Sequence, residues 1–512
     1  MKRRTKFIYN GILLSLVGLA MRGVTLALGA YISRAVGAEG VGLNSLVMNV
    51  YGFAFTFATA GISLTVTALV ASAIGERSTS REREVMRGAF IYASLFGISA
   101  SLILSLLSSF ISRSVLGVAE LSKPIMILSI SLLPCSLTSV ISGYFIGRRK
   151  VSFNATLQVL GQAARVIFTV ALLSRVGRGD TISSITALAI GATLTEISVF
   201  LLSLTEFFFA RSGGKEKNTS RADVRAVASV ALPIAFSAYI RSALLTIEHA
   251  IIPTRLLKHG QTREEALSSY GGLHGMALPL ILYPLVPLSS LGTLLLPEFA
   301  EAKARGERER MRKIASISLS TSLMYAVIVG VLLLFFSEEL GYVIYGSYDS
   351  GRYVAILAPV VPLMYLDHVA DNMLKGVGEQ VYSMWVNILD SFLSVSLVFV
   401  LLPWLGIEGY AIVIIAMEAF NFTLSILRLK KCVGFHISLL ADGLAPLICA
   451  VISAILTREA FSVSGRAVSI GILISEAVFC LSLFVATMIL VSYARHLLKK
   501  RVKNHHERKS RE

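Results

Sequence analysis

Three arginines lie inside long apolar stretches of the sequence, where a positive charge is rare. They are Arg22, Arg165 and Arg241. An arginine at the centre of a membrane helix costs about 2.5 to 3.5 kcal/mol on insertion scales, so each should face a partner or a water-filled cavity. Guanidinium groups bind phosphate oxygens through paired hydrogen bonds. The three residues are therefore candidate ligands for an anion such as a pyrophosphate. The alternative is internal ion pairing, for example of Arg241 with Glu248.

A second polar group combines acidic residues with a lysine. Asp367 and Asp371 are four residues apart, and Lys375 follows Asp371 at the same spacing. Residues at this spacing lie on one face of a helix and can form ion pairs. We predict a salt-bridge ladder here, with a structural or gating role.

A third group could bind a small cation. Asn387 and Asp390 are at positions i and i+3 of one apolar stretch, and Glu248 lies in another. Carboxylate and amide oxygens are hard ligands suited to a small cation. We interpret the three as a candidate coupling site for Na⁺ or H⁺, and we expect no other cofactor.

Motifs for enzymatic chemistry are absent from the sequence. It contains no GxxxxGK[ST] phosphate-binding loop, no HExxH and no paired Cys or His cluster. The chain is therefore not expected to be an enzyme. The four cysteines show no metal-ligand spacing and are expected to be reduced.

Long apolar segments must position these residues. The first, 7–33, is long enough to cross a hydrocarbon core of about 30 Å. The chain of 512 residues is 55% hydrophobic and 15% charged, with a mean hydropathy of +0.73. This composition predicts an all-α polytopic membrane protein. Its predicted spans, about fourteen in number, are 7–33, 41–74, 88–111, 124–146, 152–174, 181–210, 224–252, 269–298, 314–337, 352–375, 381–402, 408–429, 437–457 and 467–494.

The net charge of +17 follows the topology. Of the 48 Lys and Arg residues, 34 lie at the N-terminus, in alternate loops and in the C-terminal tail. By the positive-inside rule this bias places both termini in the cytoplasm. It also explains the basic charge without a nucleic-acid partner.

Three landmarks recur about 230 residues apart. Gly42-Leu43-Asn44 recurs as Gly272-Leu273-His274, a GER-containing basic loop follows each motif, and Pro134 corresponds to Pro362. A parallel repeat of this kind predicts two pseudo-symmetric lobes around a cavity, in which Asn44 and His274 are candidate polar residues. The predicted organisation is an N-terminal six-helix lobe at 1–210, a cytoplasmic linker at 211–225, a C-terminal six-helix lobe at 226–430, two additional helices at 431–494 and a basic cytoplasmic tail at 495–512.

The eighth span is expected to be the most bent. It contains Pro279, Pro284, Pro287 and Pro297, and proline inside a helix removes a hydrogen bond and kinks the chain. We therefore interpret it as a candidate gating element.

Several stretches resemble one branch of a known superfamily. They are GAEGVGL after the first span, SVISGYFIGRRKVSFNATLQVLGQAARV across spans 4 and 5, YGGLHGMALPLILYPLVPLSSLGTLLLPEFAEA at span 8 and LKGVGEQVYSMWVNILD at spans 10 and 11. They are similar to the stage V sporulation protein B branch of the MOP exporter superfamily. That superfamily also contains MurJ lipid II flippases, Wzx-type oligosaccharide flippases and MATE drug exporters.

The resemblance implies a fold, a function and a location. It implies two six-helix lobes, alternating access and outward movement of an undecaprenyl-pyrophosphate-linked saccharide across the bacterial cytoplasmic membrane. It also implies that the last two spans form a lipid-tail groove, that Arg22 is a cavity arginine, and that sodium ligands fall near Glu248, Asn387 and Asp390. The resemblance implies that a position which is acidic in MurJ is occupied by Leu43 or Asn44 here. It also implies that an arginine of MurJ is replaced in this chain near His274. These two departures argue against lipid II as the substrate.

Two other functions remain open at the level of sequence. A MATE-like cation-coupled multidrug exporter should have an acid-lined lobe, and a non-transporting scaffold for envelope synthesis should have its charges paired inside closed lobes. The expected partners are the lipid-linked oligosaccharide, the bilayer and envelope-synthesis enzymes, and we expect a monomer.

Overall fold

A computed structural model of the chain describes residues 2–76, 78–148, 150–176, 180–211, 223–462 and 469–509. Residues 212–222 of the predicted linker, Arg77 of the first GER motif and the last three residues of the tail lie outside these ranges. So do the side chains of the tail beyond residue 491. Within the described ranges the secondary structure is helical, and no strand occurs there.

Eighteen α-helices follow one another along the described chain, and π- and 3₁₀-helical segments lie between some of them. They are α1 Lys2–Thr59, α2 Ile62–Gly75, α3 Thr79–Phe110, α4 Ser122–Ser129, α5 Leu132–Gly147, α6 Val151–Leu173, α7 Thr181–Arg211, α8 Val224–Lys258, α9 Arg263–Tyr270, α10 Leu278–Leu282, α11 Val286–Ala304, α12 Arg308–Phe335, α13 Ser337–Tyr345, α14 Tyr348–Leu357, α15 Val361–Gly376, α16 Gln380–Val433, α17 Ala445–Ser462 and α18 Ile470–Lys509.

Twelve helical segments of the described chain are long and apolar enough to cross a membrane. Two of them, Ala20–Gly75 and Gln380–Val433, are 56 and 54 residues long. The second holds two of the fourteen predicted spans, and the first holds the span 41–74 together with the part of 7–33 from residue 20 onward. At about 1.5 Å per residue either would exceed two bilayer cores, so it must turn. Each does so at a glycine with positive φ, at Gly37 (φ 71°) and Gly406 (φ 62°).

The surface supports a multi-pass membrane protein. Large apolar side chains stand exposed along the helices, for example Leu106, Phe209 and Trp404, which are 79 to 80% exposed. A soluble monomer rarely exposes apolar patches of that extent, whereas a lipid-facing surface requires them. The four cysteines are free.

The predicted bend in the eighth span is present as two interruptions. After α9, a π-helical turn runs over Gly271–Ala277, and a 3₁₀ turn at Tyr283–Leu285 separates α10 from α11. Pro284 lies inside the 3₁₀ turn and Pro287 opens α11. The prolines therefore break this span, because each lacks the N–H that would continue the helix.

The described chain divides into two compact units. The first comprises residues 1–22, 276–386 and 414–512, and the second comprises 23–275 and 387–413. The division into lobes at 211–225 stays a prediction.

In the second unit, α2, α3, α5 and α8 pack together. Gly143 and Gly147 of α5 lie directly against Ser63, Val66 and Val70 of α2, the close approach typical of small residues spaced four apart in membrane helices. In the first unit, α11 packs on α15, and α12 packs on α15 and α17.

Candidate functional site

The broken eighth span leaves backbone carbonyls that side chains of the first unit satisfy. Tyr365 of α15 donates to the carbonyl oxygen of Ile281 at 2.6 Å, and Tyr325 of α12 donates to that of Pro284 at 2.6 Å. Arg22 of α1 reaches the carbonyl oxygen of Leu282 at 3.5 Å. Three side chains from three helices thus hold one irregular segment. This is the usual way in which a broken membrane helix is tolerated.

Arg22 keeps most of its hydrogen-bonding capacity. Its side chain is exposed, its contact with the Leu282 carbonyl is long, and it forms no ion pair with a carboxylate within the described residues. Its charge acts on Tyr365 and on His368, which belong to the same unit. A guanidinium carries five N–H donors, so several of them remain for an anion.

The predicted acidic pair lies on α15 beside His368. Asp371 forms an ion pair with Lys375 at 2.6 Å, as its i+4 spacing indicated. Asp367 lies half-buried one turn earlier. The charges of Asp371 and Lys375 act on His368 as well. The role of this group in gating stays a prediction.

The other two predicted cavity cations belong to the second unit. Arg165 of α6 and Arg241 of α8 are both exposed and form no ion pair or hydrogen bond within the part of the chain described. Arg241 does not pair with Glu248, so the internal pairing considered from the sequence does not occur. Both charges are therefore open to an external ligand, and their role in binding stays a prediction.

Glu248 lies in the core of the second unit, on α8. Its side chain is 6% exposed, and Ser394 of α16 donates a hydrogen bond to its Oε1 at 2.7 Å. Asp390 lies close enough for its charge to act on Glu248, and Asn387 precedes it by one turn. The group supplies only oxygen donors, which suits a small hard cation. Ser394 was missed from the sequence, although its spacing of one turn from Asp390 signals it.

The repeated motifs meet within the second unit. A Cβ on Gly42 would overlap the carbonyl oxygen of Leu267, and a Cβ on Gly271 would overlap that of Ala38. Asn44 is half-buried beside this contact. Only glycine at these two positions allows the backbones to approach so closely.

His274 lies in the π-helical turn next to this contact. Its ring stacks on Tyr270, with centroids 5.3 Å apart, and its centroid is 4.2 Å from that of His249. Tyr270 also accepts a hydrogen bond from the side-chain amide of Asn49 at 3.0 Å. His274 thus sits in a buried aromatic cluster, which its place in the repeat did not reveal. No group of three or more His, Cys, Asp or Glu residues that could hold a metal occurs among the described residues.

An apolar groove lies in the first unit between α12, α15 and α17. Its volume is about 430 Å³, and its lining includes Val331, Pro362 and Leu447. Helix α17 corresponds to the first of the two spans that follow the repeated unit. A mostly apolar groove of this kind can hold a hydrocarbon chain, whereas burial of a polar group there would be unfavourable.

Two protein-family models match the chain. The model described as polysaccharide biosynthesis protein matches residues 7–303, and the model MatE matches residues 264–400.

Two relatives come from Bacillus subtilis (strain 168). Stage V sporulation protein B is 23% identical over 507 residues, which cover 94% of this chain and 96% of that protein. Sporulation protein YkvU is 20% identical over 401 residues, which cover 77% of this chain and 88% of that protein.

Solved structures show the same fold. The lipid II flippase MurJ in an inward closed conformation is similar with a TM-score of 0.75 at 13% identity, covering 95% of this chain and all of that one. An inward-facing MATE family multidrug resistance transporter of the MOP superfamily has a TM-score of 0.65 at 15% identity, covering 82% of this chain and 98% of the other.

Proposed function

Because the chain belongs to the polysaccharide biosynthesis protein family and has the fold of the MOP superfamily transporters, we propose that it is a flippase. Its substrate is an undecaprenyl-pyrophosphate-linked saccharide, which it moves across the cytoplasmic membrane by alternating access. Both termini lie in the cytoplasm, where envelope-synthesis enzymes supply the substrate, and the protein acts as a monomer.

One observation carries the proposal. Arg22 is an exposed guanidinium on a membrane helix with no carboxylate partner among the described residues. A charge in this position is unfavourable in lipid, so a ligand of opposite charge is its natural partner. A diphosphate offers paired oxygens that match the planar guanidinium. His368, on which the charge of Arg22 acts, can donate a further hydrogen bond.

The apolar groove supports the lipid part of the substrate. It lies in the same unit as Arg22, and its lining, which includes Gly330, Pro359 and Gly443, is mostly apolar. Burial of each CH₂ group of a polyprenyl chain contributes about 0.8 kcal/mol. The groove thus holds part of the tail, and Arg22 holds the pyrophosphate.

The Glu248 group supplies the coupling. Two carboxylates that lie close together repel each other, and Glu248 is buried. A bound cation relieves that repulsion, and the oxygen atoms of Glu248, Asp390, Asn387 and Ser394 would hold Na⁺. Binding and release of the ion then shift the conformational equilibrium of helices α8 and α16, which carry these residues.

A flip assay tests the proposal. Purified protein is reconstituted into liposomes with a fluorescent polyprenyl-pyrophosphate sugar, and outward movement is followed by quenching. We expect Arg22→Ala to lower the rate by about 10- to 100-fold, since charge-assisted hydrogen bonds contribute about 1.5 to 3 kcal/mol. Arg22→Lys should be intermediate, because lysine keeps the charge but loses the paired geometry.

Arg312→Ala is the matched control. Arg312 is an exposed arginine near the start of α12, 3.9 Å from Glu309, and its loss should leave the rate unchanged. Equal rates for the wild type and Arg22→Ala would remove the anion-binding role of Arg22.

A cation-coupled exporter is the second candidate, favoured by the buried carboxylate of Glu248 and by the MatE match at residues 264–400. Wild-type protein that exports an organic cation but flips no lipid would establish it. Protein that does neither would be a scaffold.

A further inference from the structure

A cavity with both apolar and charged walls lies in the second unit, where α5 ends, α6 begins and α7 ends. Its volume is about 390 Å³, within the range of about 300 to 1,000 Å³ that small-molecule sites occupy. Phe145, Leu157 and Leu202 contribute to its apolar wall, and Lys150 and Glu206 contribute its two charges. The cavity therefore suits a ligand that is part hydrocarbon and part polar.

The packing of α6 on its neighbours forms this cavity. A Cβ on Gly161 of α6 would lie 3.0 Å from the side chain of Val199 of α7, so the two helices are in close contact there. The cavity lies on the side of this contact nearer the start of α6. At that start, the ring of Phe153 packs on that of Phe145 with 3.8 Å between the centroids, and Phe153 also packs against the buried core of the unit. The fold thus holds the apolar wall in place.

The two charged residues of the cavity have no protein partner. Lys150 immediately precedes α6 and Glu206 lies near the end of α7, and both are exposed. Neither forms an ion pair or a side-chain hydrogen bond within the described residues. Arg148, by contrast, donates two hydrogen bonds to the carboxylate of Glu82, at 2.9 and 3.0 Å. The charges that this cavity offers to a ligand are therefore one positive and one negative.

The cavity is open toward the lipid-facing surface. Leu160 and Leu202, which both line it, are 44% and 40% exposed, and Phe209 next to its rim is 80% exposed. Lys150 precedes the apolar segment Ala155–Leu173, and Glu206 lies close to the end of the apolar segment Thr181–Phe209. A ligand bound here would therefore have its hydrocarbon part inside the membrane and its polar part at the membrane surface.

We propose that this cavity binds one phospholipid whose headgroup carries both a phosphate and a primary ammonium, as in phosphatidylethanolamine. The phosphate accepts a hydrogen bond from Lys150, and the ammonium donates one to Glu206. The upper carbon atoms of an acyl chain lie against Leu157 and Leu202. The site shares no residue with the Arg22 region or with the Glu248 group, and it does not depend on transport.

The pair of opposite charges selects this headgroup over those of other lipids. The net negative charge of phosphatidylglycerol would be attracted by Lys150 but repelled by Glu206. Phosphatidylcholine carries the phosphate and a positive charge, but its trimethylammonium group has no N–H to donate to the carboxylate, and charge-assisted hydrogen bonds are the stronger ones. A soluble zwitterion such as phosphoethanolamine lacks the hydrocarbon chain whose burial favours binding.

Native mass spectrometry of the purified full chain tests the site without a transport assay. The protein in detergent is incubated with an equal mixture of phosphatidylethanolamine, phosphatidylglycerol and phosphatidylcholine with identical acyl chains, and the retained lipids are counted. We expect the wild type to retain phosphatidylethanolamine about two- to fivefold over each of the others, because ion contacts at exposed sites are individually weak. An excess of soluble phosphoethanolamine should not displace the lipid.

Charge variants distinguish this site from the general layer of lipid around the protein. Lys150→Gln and Glu206→Gln should each abolish the preference for phosphatidylethanolamine. Glu206→Lys should shift the preference to phosphatidylglycerol, because the cavity then carries two positive charges. The double variant Lys150→Glu with Glu206→Lys should regain the preference for phosphatidylethanolamine, because both charges are again present.

Glu120→Gln and Lys123→Gln are the matched controls. Both residues are exposed in the same unit, at the start of the apolar segment Ala119–Gly147, whereas Lys150 follows its end. Both variants should keep the preference of the wild type.

Five results would overturn the proposal. They are equal retention of the three lipids by the wild type, a wild-type preference for phosphatidylglycerol or phosphatidylcholine, an unchanged preference in Lys150→Gln or Glu206→Gln, no recovery in the double variant, and displacement by soluble phosphoethanolamine. Loss of the preference in either control would likewise place the lipid elsewhere on the protein.

Discussion

Two polar regions of this protein differ in charge and in accessibility. The Arg22 region, in the first unit, presents an exposed guanidinium beside a broken helix. The Glu248 region, in the second unit, holds a carboxylate that is 6% exposed and hydrogen-bonded to Ser394. A bulky headgroup can reach an exposed charge, whereas only an ion can reach a buried one. The proposed function accordingly assigns the substrate to the first region and the coupling ion to the second.

Charge reversal in the Arg22 region should have the largest effect. We expect Arg22→Glu to weaken binding of a pyrophosphate-bearing lipid by at least about 100-fold, equivalent to about 2.7 kcal/mol, because attraction becomes repulsion. Titration of the lipid against purified protein measures the change. Arg312→Glu, with the same charge change at an exposed site, should bind normally. Tight binding by Arg22→Glu would place the anion site elsewhere.

Neutralising the Glu248 region should change ion dependence more than substrate binding. Glu248→Gln keeps the shape and the contact to Ser394 but removes a ligand charge, so flipping should fall about tenfold and lose its response to Na⁺. Initial rates with and without Na⁺ test this expectation. Glu264→Gln, an exposed change in the first turn of α9, is the control. A variant that still responds to Na⁺ would separate Glu248 from coupling.

The hydrogen bonds that hold the broken eighth span should contribute to the stability of the protein. Tyr365 is fully buried, and Tyr365→Phe leaves the Ile281 carbonyl without its partner. We expect a loss of about 1 to 2 kcal/mol in the free energy of unfolding. Thermal unfolding in detergent measures it, and Tyr342→Phe at an exposed position should be neutral. Unchanged stability of Tyr365→Phe would mean that another group covers the carbonyl.

Ion pairs outside the two regions should matter least. Glu379, between two membrane segments, accepts hydrogen bonds from Arg428, which lower the pKa of its carboxyl group. The pKa of Glu379 is therefore lower in the folded state than in the unfolded state. For this reason the interaction with Arg428 stabilises the fold above about pH 4.3, and this stabilisation is lost as the pH falls through the folded-state pKa. Glu379→Gln should lower Tm by less than about 2 °C at pH 7 and leave it unchanged in acid. A larger shift at pH 7, or one that persists in acid, would contradict this assignment.

Local patterns in the sequence anticipated much of this fold. Hydropathy located the membrane spans, the prolines located the break in the eighth span, and i+4 spacing predicted the Asp371–Lys375 pair. Each of these features is decided by residues within a few turns of one another. The turns at Gly37 and Gly406 lie between the predicted spans 7–33 and 41–74 and between 381–402 and 408–429, where the sequence predicts breaks.

Contacts between segments that are far apart in the sequence could not be predicted from it. Tyr365 lies 84 residues from the carbonyl it covers, and Cys135 lies 61 residues from Glu196, to which its thiol donates a hydrogen bond. A tyrosine or a cysteine in an apolar run reads as an ordinary core residue, because nothing nearby marks its partner. The sequence therefore named charged candidates such as Arg22 and Glu248, whose roles stay predictions, but it did not name Tyr365 or Ser394.

The close contact at Gly42 and Gly271 makes the protein sensitive to a single methyl group. Alanine at either position would push a carbon atom into the backbone of the facing segment, which cannot swing aside as a long side chain can. In a saturation library scored by cell growth, these two sites should stand out as intolerant even to the smallest substitution. Growth measurements alone would then locate this contact between the two backbones.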